Sequence, residues 1–166
     1  GYEKAFAFCD VLVIGAGPAG LMAALTAGRA GADVIVADED TAMGGRLLRE
    51  QEQVDGKPAV DWVADALAEL DALPNVRRMT RTTVTGAYDQ GTYGAIERVA
   101  GPQADGKPVE CFWRIVSKHA ILCAGALERP IAFPNNDRPG LMMASAVRSY
   151  VNRWGVAPGK AVTIFA

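Results

Sequence analysis

The tightest constraint on this chain is a turn of three glycines set between an apolar run and a helix. Asp10-Val11-Leu12-Val13-Ile14 is a short, continuous β-branched stretch, the pattern of a strand buried on both faces. Gly15-Ala16-Gly17-Pro18-Ala19-Gly20 follows at once. Residues 18–30 place Leu21, Ala24, Leu25 and Ala27 at helical spacing. Pro18 suits the first helical turn, where its missing N–H is harmless, and Gly31 suits the C-terminal end. Asp33-Val34-Ile35-Val36-Ala37 reads as a second buried strand. Strand, glycine turn, helix and strand make a βαβ unit that begins at Cys9.

The turn has the form G-x-G-x-x-G, and its context between strand and helix makes the match informative. Gly15 permits the tight turn, Gly17 lets the backbone approach a pyrophosphate, and Gly20 lets the helix pack close on the strand. The free N–H groups and the positive end of the helix favour an anion there. Asp38 ends the second strand about 20 residues on, where an acid accepts hydrogen bonds from the adenosine ribose. The triplet Asp38-Glu39-Asp40 would repel a 2′-phosphate, so NADP is disfavoured while NAD and FAD both stay open.

Two weaker signals follow in order. Gly44-Gly45-Arg46 places a glycine pair soon after the second strand. Gly45 would permit close backbone approach to a dinucleotide, and Arg46 could reach a phosphate or ribose. Leu122-Cys123-Ala124-Gly125 ends a buried strand in small residues, where the chain must pass near the cofactor.

The rest of the chain reads as an α/β domain with a parallel sheet and an inserted β-meander. Residues 41–56 look loop-like. Residues 60–72 carry Trp62, Val63, Ala66, Leu67 and Leu70 on one face, an amphipathic helix. Residues 76–79 read as a short strand. Stretches 82–88, 93–99 and 110–116 have strand character and form the meander, with turn-rich residues 101–108 between the last two. Residues 119–124 read as a separate buried strand, 130–140 as a loop, 143–154 as a helix and 161–166 as a strand. We read 1–9 as a linker from a preceding region and 10–142 as the dinucleotide-binding domain. Residues 143–166 read as the helix and first strand of a second, truncated nucleotide-binding unit.

Composition bounds the function. Half of the 166 residues are apolar, 22% are charged and the net charge is −2, so nothing points to nucleic acid or an anionic membrane. No apolar run approaches the ~20 residues that span a bilayer. Three separated cysteines, Cys9, Cys111 and Cys123, read as buried or half-buried free thiols in a reducing, cytoplasmic setting. The single histidine, His119, makes a metal site improbable and reads as a strand residue with a satisfied ring. No nucleophile–base pattern appears, so no catalytic residue is named, and the carboxylates at 61, 65, 69 and 71 follow one solvated helix face.

Together, Gly15–Gly20, Asp38, Gly44-Gly45-Arg46 and Gly125-Ala126-Leu127-Glu128-Arg129-Pro130 resemble the two-dinucleotide-binding flavoprotein superfamily. The stretch Glu128-Arg129-Pro130-Ile131-Ala132-Phe133-Pro134-Asn135-Asn136-Asp137-Arg138-Pro139-Gly140 is more specific. With residues 150–160 it resembles the alpha subunits of heterotetrameric sarcosine oxidases, over nearly the whole chain. The resemblance implies the Rossmann-like FAD/NAD(P)-binding fold and a part in oxidising sarcosine to glycine, a CH–NH donor reaction. It implies that this subunit holds NAD, with FAD as the alternative occupant. FAD and FMN would serve the whole complex through a partner among the beta, gamma and delta subunits. It implies that Gly15, Gly17, Ala19 and Gly20 line the pyrophosphate, that Asp38 and Glu39 hold the ribose, and that Arg46 faces the phosphates. Val84 and Thr85 would meet the adenine through backbone groups. Related amino-acid, opine and cyanide-forming dehydrogenase subunits share these signatures and are flavin proteins. A glutathione-reductase type is disfavoured, because no redox cysteine pair follows Gly44-Gly45. Chemistry by this stretch alone is not expected; the remaining alternative is a binding module whose nucleotide never turns over.

Overall fold

The computed structural model describes residues 2–99 and 108–165. The chain runs β1 (Tyr2–Ile14), α1 (Pro18–Arg29), β2 (Val34–Ala37), a 3-10 turn (Gly45–Arg49), the small hairpin β3 (Gln53–Val54) and β4 (Lys57–Pro58), then α2 (Ala59–Ala72). It continues through β5 (Val76–Met79), β6 (Thr82–Tyr88), β7 (Thr92–Arg98), β8 (Glu110–Leu122) and α3 (Ala144–Asn152).

Six strands form one sheet in the order β5-β2-β1-β8-β7-β6. The first four run parallel, and β8-β7-β6 run antiparallel as a meander. The α/β fold with its largely parallel sheet is thus as the sequence implies. The β1 register, Val11↔Val34 to Ile14↔Ala37, brings the ends of β1 and β2 level beside the glycine turn.

The sheet is covered on both faces around β2 and the second half of β1. Val13, Val34 and Val36 pack under α1 and α2 with Leu21, Leu25, Val63 and Leu70. Leu12, Ile35, Ala37 and Met79 face the other way and meet Ala95 and Ile115 of the meander. Continuous apolar runs in β1 and β2 are what a strand buried on both sides needs. Full burial of each Val or Leu contributes roughly 1.5–3 kcal/mol.

Helix α1 ends as its glycine requires. Gly31 takes φ +84°, the Gly31 amide donates to the Gly28 carbonyl, and the Ala32 amide donates to the Ala27 carbonyl. This pair of bonds is the Schellman arrangement, which satisfies the last carbonyls of a helix.

Four sequence expectations need correction. Residues 2–9 are not a linker: they extend β1, paired with β8 from Tyr2↔Glu110 onward. Stretches 110–116 and 119–124 are not two strands but one. The Ser117-Lys118 break is absorbed because Ser117 is buried against the Asp10 and His119 carbonyls while Lys118 pairs with Asp10 at 2.6 Å. Residues 161–165 form no strand, and Val162, Ile164 and Phe165 are exposed, with no sheet neighbour among the described residues. Residues 41–56 hold the 3-10 turn and the small hairpin rather than a plain loop. Residues 101–107 of the expected turn lie outside the described residues.

Candidate functional site

The glycine turn joins β1 to α1 at the C-terminal edge of the parallel strands. Each glycine has a different physical reason. Gly15 takes φ +96°, and a side chain there would run into the Cys123 carbonyl at the end of β8. A side chain on Gly20 would run into the Gly15 carbonyl, so α1 can cross β1 only with glycine there. Gly17 differs. Its backbone is extended, φ −72° and ψ −172°, which any residue can adopt. A Cβ on Gly17 would meet nothing closer than the Gly45 Cα at 4.0 Å. The fold itself therefore does not require glycine at 17.

Gly17 also caps α1 with no side-chain hydrogen bond. The first intrahelical bond of that turn runs from the Leu21 amide to the Gly17 carbonyl. The amides of Ala19 and Gly20 precede it, and Pro18 has none, so the helix start presents bare donors over an open space. The chemistry of this donor set fits an anion.

The second glycine pair packs on the first. The Gly44 amide donates to the Ala16 carbonyl at 2.8 Å. A Cβ on Gly45, at φ +54°, would come 2.8 Å from the Gly17 Cα. Gly45 thus has a structural task, letting the two turns touch, beside any cofactor contact. Arg46 is engaged by Glu50, Nη2 to Oε1 at 3.0 Å. Arg148 reaches the same oxygen at 2.8 Å. The Glu50 side chain is only 6% exposed. Burial opposes its ionisation, but the bonds from Arg46 and the charges of Arg148 and Arg46 outweigh it and hold the carboxyl below the usual range.

Among the three acids after β2, the roles separate. Asp38 turns inward and accepts the Ala16 amide at 2.6 Å and the Asp40 amide at 2.9 Å. Glu39 is exposed. Asp40 accepts a two-pronged bond from Arg153, at 2.6 and 2.9 Å. That bond takes the Asp40 carboxyl down to about 2, against some burial. A carboxylate at the end of β2 looks the same in the sequence whether it braces the turn or faces solvent. Spacing alone could not separate these roles.

The meander approaches this corner from the other side. The Thr82 amide donates to the Asp38 carbonyl, and the Arg81 amide to the Asp40 carbonyl, both at 2.8 Å. Val84 pairs with Ala95, then the register slips, and Gly86 pairs with Gly94. Thr85 is therefore the extra residue of a β-bulge, outside the ladder register, a feature common beside sites. Its hydroxyl donates to the Gly94 carbonyl at 3.3 Å. Gly125 takes φ +69° in an exposed stretch beyond β8.

The structure thus gathers Gly15, Gly17, Ala19, Gly20, Asp38, Glu39 and Gly45 at one sheet edge, with β6 tied to it. Arg153, Glu50 and the pairing of Asp40 with Arg153 carry no signal in the sequence pattern. The link to Arg153 spans 113 residues, so no local pattern signals it. Cys9 and Cys111 are buried free thiols and Cys123 is half-buried, all raised by burial. His119 lies exposed on β8. Among the described residues no helix is long and apolar enough to cross a membrane, and no acid, His or Cys cluster could hold a metal ion.

Known proteins are similar to this chain in sequence and fold. Over 167 residues the chain is 54% identical to the sarcosine oxidase alpha subunit of Rhizobium meliloti (strain 1021), covering 99% of this chain and 17% of that one. It is 35% identical over 164 residues to an opine oxidase subunit of Agrobacterium tumefaciens (strain Ach5), covering 95% of this chain and 32% of the relative. The L-proline dehydrogenase of P. horikoshii superposes with a TM-score of 0.80 at 26% identity, over 95% of this chain and 31% of that one. The chain therefore spans a sixth to a third of the length of these proteins. Residues 10–101 match the family described as FAD dependent oxidoreductase, more than half of the chain, so the chain belongs to that family.

Proposed function

We propose that this chain is the adenine-dinucleotide-binding part of an oxidoreductase subunit that serves the oxidation of an N-substituted amino acid, sarcosine first. The observation that carries the site is Gly17: it lacks a side chain where the fold would accept one, and it faces open space beside bare helix N–H groups. A pyrophosphate explains the missing side chain.

In this reading Gly15 and Gly20 shape the turn, and the amides of Gly17, Ala19 and Gly20 hold the pyrophosphate. Glu39 reaches the ribose hydroxyls, with Asp38 fixing the loop behind it. Thr85 and Val84 offer backbone groups to the adenine, which the bulge supports. Arg46 turns to a phosphate only by leaving Glu50, and Gly125 leaves the chain bare beside the turn. The bound group would supply the redox chemistry. The chain's own part is to bind and orient it, since no base or nucleophile is gathered at this turn among the described residues.

The family match favours FAD. A second reading, NAD, is favoured by the 54% identity to a sarcosine oxidase alpha subunit, because it is the resemblance to those subunits that implies NAD. Relatives named as subunits support further chains as partners, the beta, gamma and delta subunits of the sarcosine oxidase reading. The free cysteines support a reducing, cytoplasmic setting.

Titration calorimetry of the natural full-length protein, stripped of nucleotide, with FAD and with NAD tests this. One site for either supports the reading, and the tighter of the two names the occupant. No binding of either contradicts it.

A further inference from the structure

Helix α3 is fastened to the nucleotide corner by polar contacts rather than by a core. None of its residues is buried. Glu128 accepts the Ser145 and Ala144 amides at its start, at 2.8 and 3.3 Å. Along its length Arg49 donates to the Ser149 hydroxyl at 3.1 Å, and the Asn152 amide group donates to the Arg49 carbonyl at 2.8 Å. At its end Arg153 sends Nη1 and Nη2 to the two oxygens of Asp40.

Asp40 is a junction. Its carboxylate also accepts the Thr41 amide at 2.6 Å, and its carbonyl accepts the Arg81 amide at 2.8 Å from the β5–β6 connection. It directly follows Glu39. Three successive carboxylates beside a dianionic pyrophosphate would repel it unless they are compensated. Asp38 is compensated by two amides and Asp40 by Arg153, which leaves Glu39 as the acid open to a ribose. A planar guanidinium suits this, because one fork fixes both the charge and the orientation of the carboxylate.

We propose that Arg153 is a positioning residue for the nucleotide site: its two-pronged grip on Asp40 sets the loop that presents Glu39 and cancels a carboxylate that would repel the phosphates. The inference rests on the dinucleotide reading above. Segment 128–153 thereby governs nucleotide affinity without touching the nucleotide.

The test uses the natural full-length protein. Calorimetry gives the affinity for FAD and NAD, and amide hydrogen exchange reports on the nucleotide-free loop. Arg153→Met is expected to weaken binding about fivefold, the upper end for a partly exposed charged pair, and to speed exchange at Asp40, Thr41 and Ala42. Adding Asp40→Asn to Arg153→Met removes the stranded charge and is expected to recover at least about threefold of the loss. Should Arg153→Met fail to fold, Arg153→Lys replaces it. That variant keeps the charge without the fork and is expected to lose about two- to threefold, with faster exchange at the same three amides. Unchanged affinity in the Arg153 variant, or no recovery when Asp40→Asn is added to Arg153→Met, overturns the inference. Wild type that binds neither nucleotide overturns the function reading and this one together. Wild type that binds, beside an Arg153 variant that binds as tightly, overturns this one alone.

Discussion

The Asp38 carboxylate accepts a hydrogen bond from the Ala16 amide at 2.6 Å, bridging the end of β2 to the middle of the glycine turn. A second bond, from the Asp40 amide at 2.9 Å, occupies its other oxygen. Asp38 is thus a brace before it is a ligand contact. Asp38→Ala is expected to destabilise the nucleotide-free protein by about 1.5–3 kcal/mol, the cost of losing bonds to a charged acceptor. Urea unfolding of the two proteins measures this, and an unchanged midpoint contradicts the brace.

Glu39 should behave in the opposite way. It is exposed, and stability should stay within about 0.5 kcal/mol in Glu39→Ala. Nucleotide affinity should fall about tenfold, for one charged hydrogen-bond acceptor lost at a solvated ribose. Equal affinity in calorimetry would remove Glu39 from the site.

The glycines of the turn separate fold from function. Gly20→Ala forces a methyl against the Gly15 carbonyl, and neither backbone can yield without moving α1 off β1. The expected loss is about 3 kcal/mol, at the upper end for overpacking. Gly17→Ala has room. Its expected cost to folding is within about 1 kcal/mol, that of a poorer helix cap, while nucleotide binding is lost. A Gly17→Ala protein that binds normally would mean that the space over Gly17 is not the pyrophosphate site.

Acid should probe the Asp40–Arg153 pair. The Arg153 bond lowers the Asp40 carboxyl from 3.8 to about 2. A carboxyl that is more acidic when folded adds stability above its unfolded value, and that stability is lost as pH falls through the folded value. Wild type should therefore lose more stability than Asp40→Asn between about pH 4 and pH 2. The Arg153 and Asp40 side chains are 20% and 35% exposed, so solvent screening keeps the difference modest. Unfolding curves of both proteins that shift in parallel through this window would contradict the pair.

The sequence disclosed what depends on neighbours along the chain. Pro18, Gly31 and the apolar spacing mark α1 within a residue of its ends, and the alternation of 60–72 marks α2 because its inner face is written every three or four residues. It disclosed less where a partner strand decides. Glu3 and Lys4 read as linker, yet β8 recruits them into β1. Residues 161–165 read as strand from composition, but a strand exists only with a neighbour, and none lies beside them among the described residues. In the site, the glycine turn was legible because its backbone geometry demands glycine at 15 and 20. The division of labour among Asp38, Glu39 and Asp40 was not, since it depends on Ala16 and Arg153, one 22 residues and the other 113 residues away.

The most direct measurement is mass spectrometry of the nucleotide released when the natural full-length protein is denatured. A site of this geometry should yield one ADP-containing dinucleotide, FAD or NAD, at this turn, retained by wild type and lost from Gly17→Ala. Release of no dinucleotide, or equal release from wild type and Gly17→Ala, would contradict the assignment of the Gly15–Gly20 turn as the binding site.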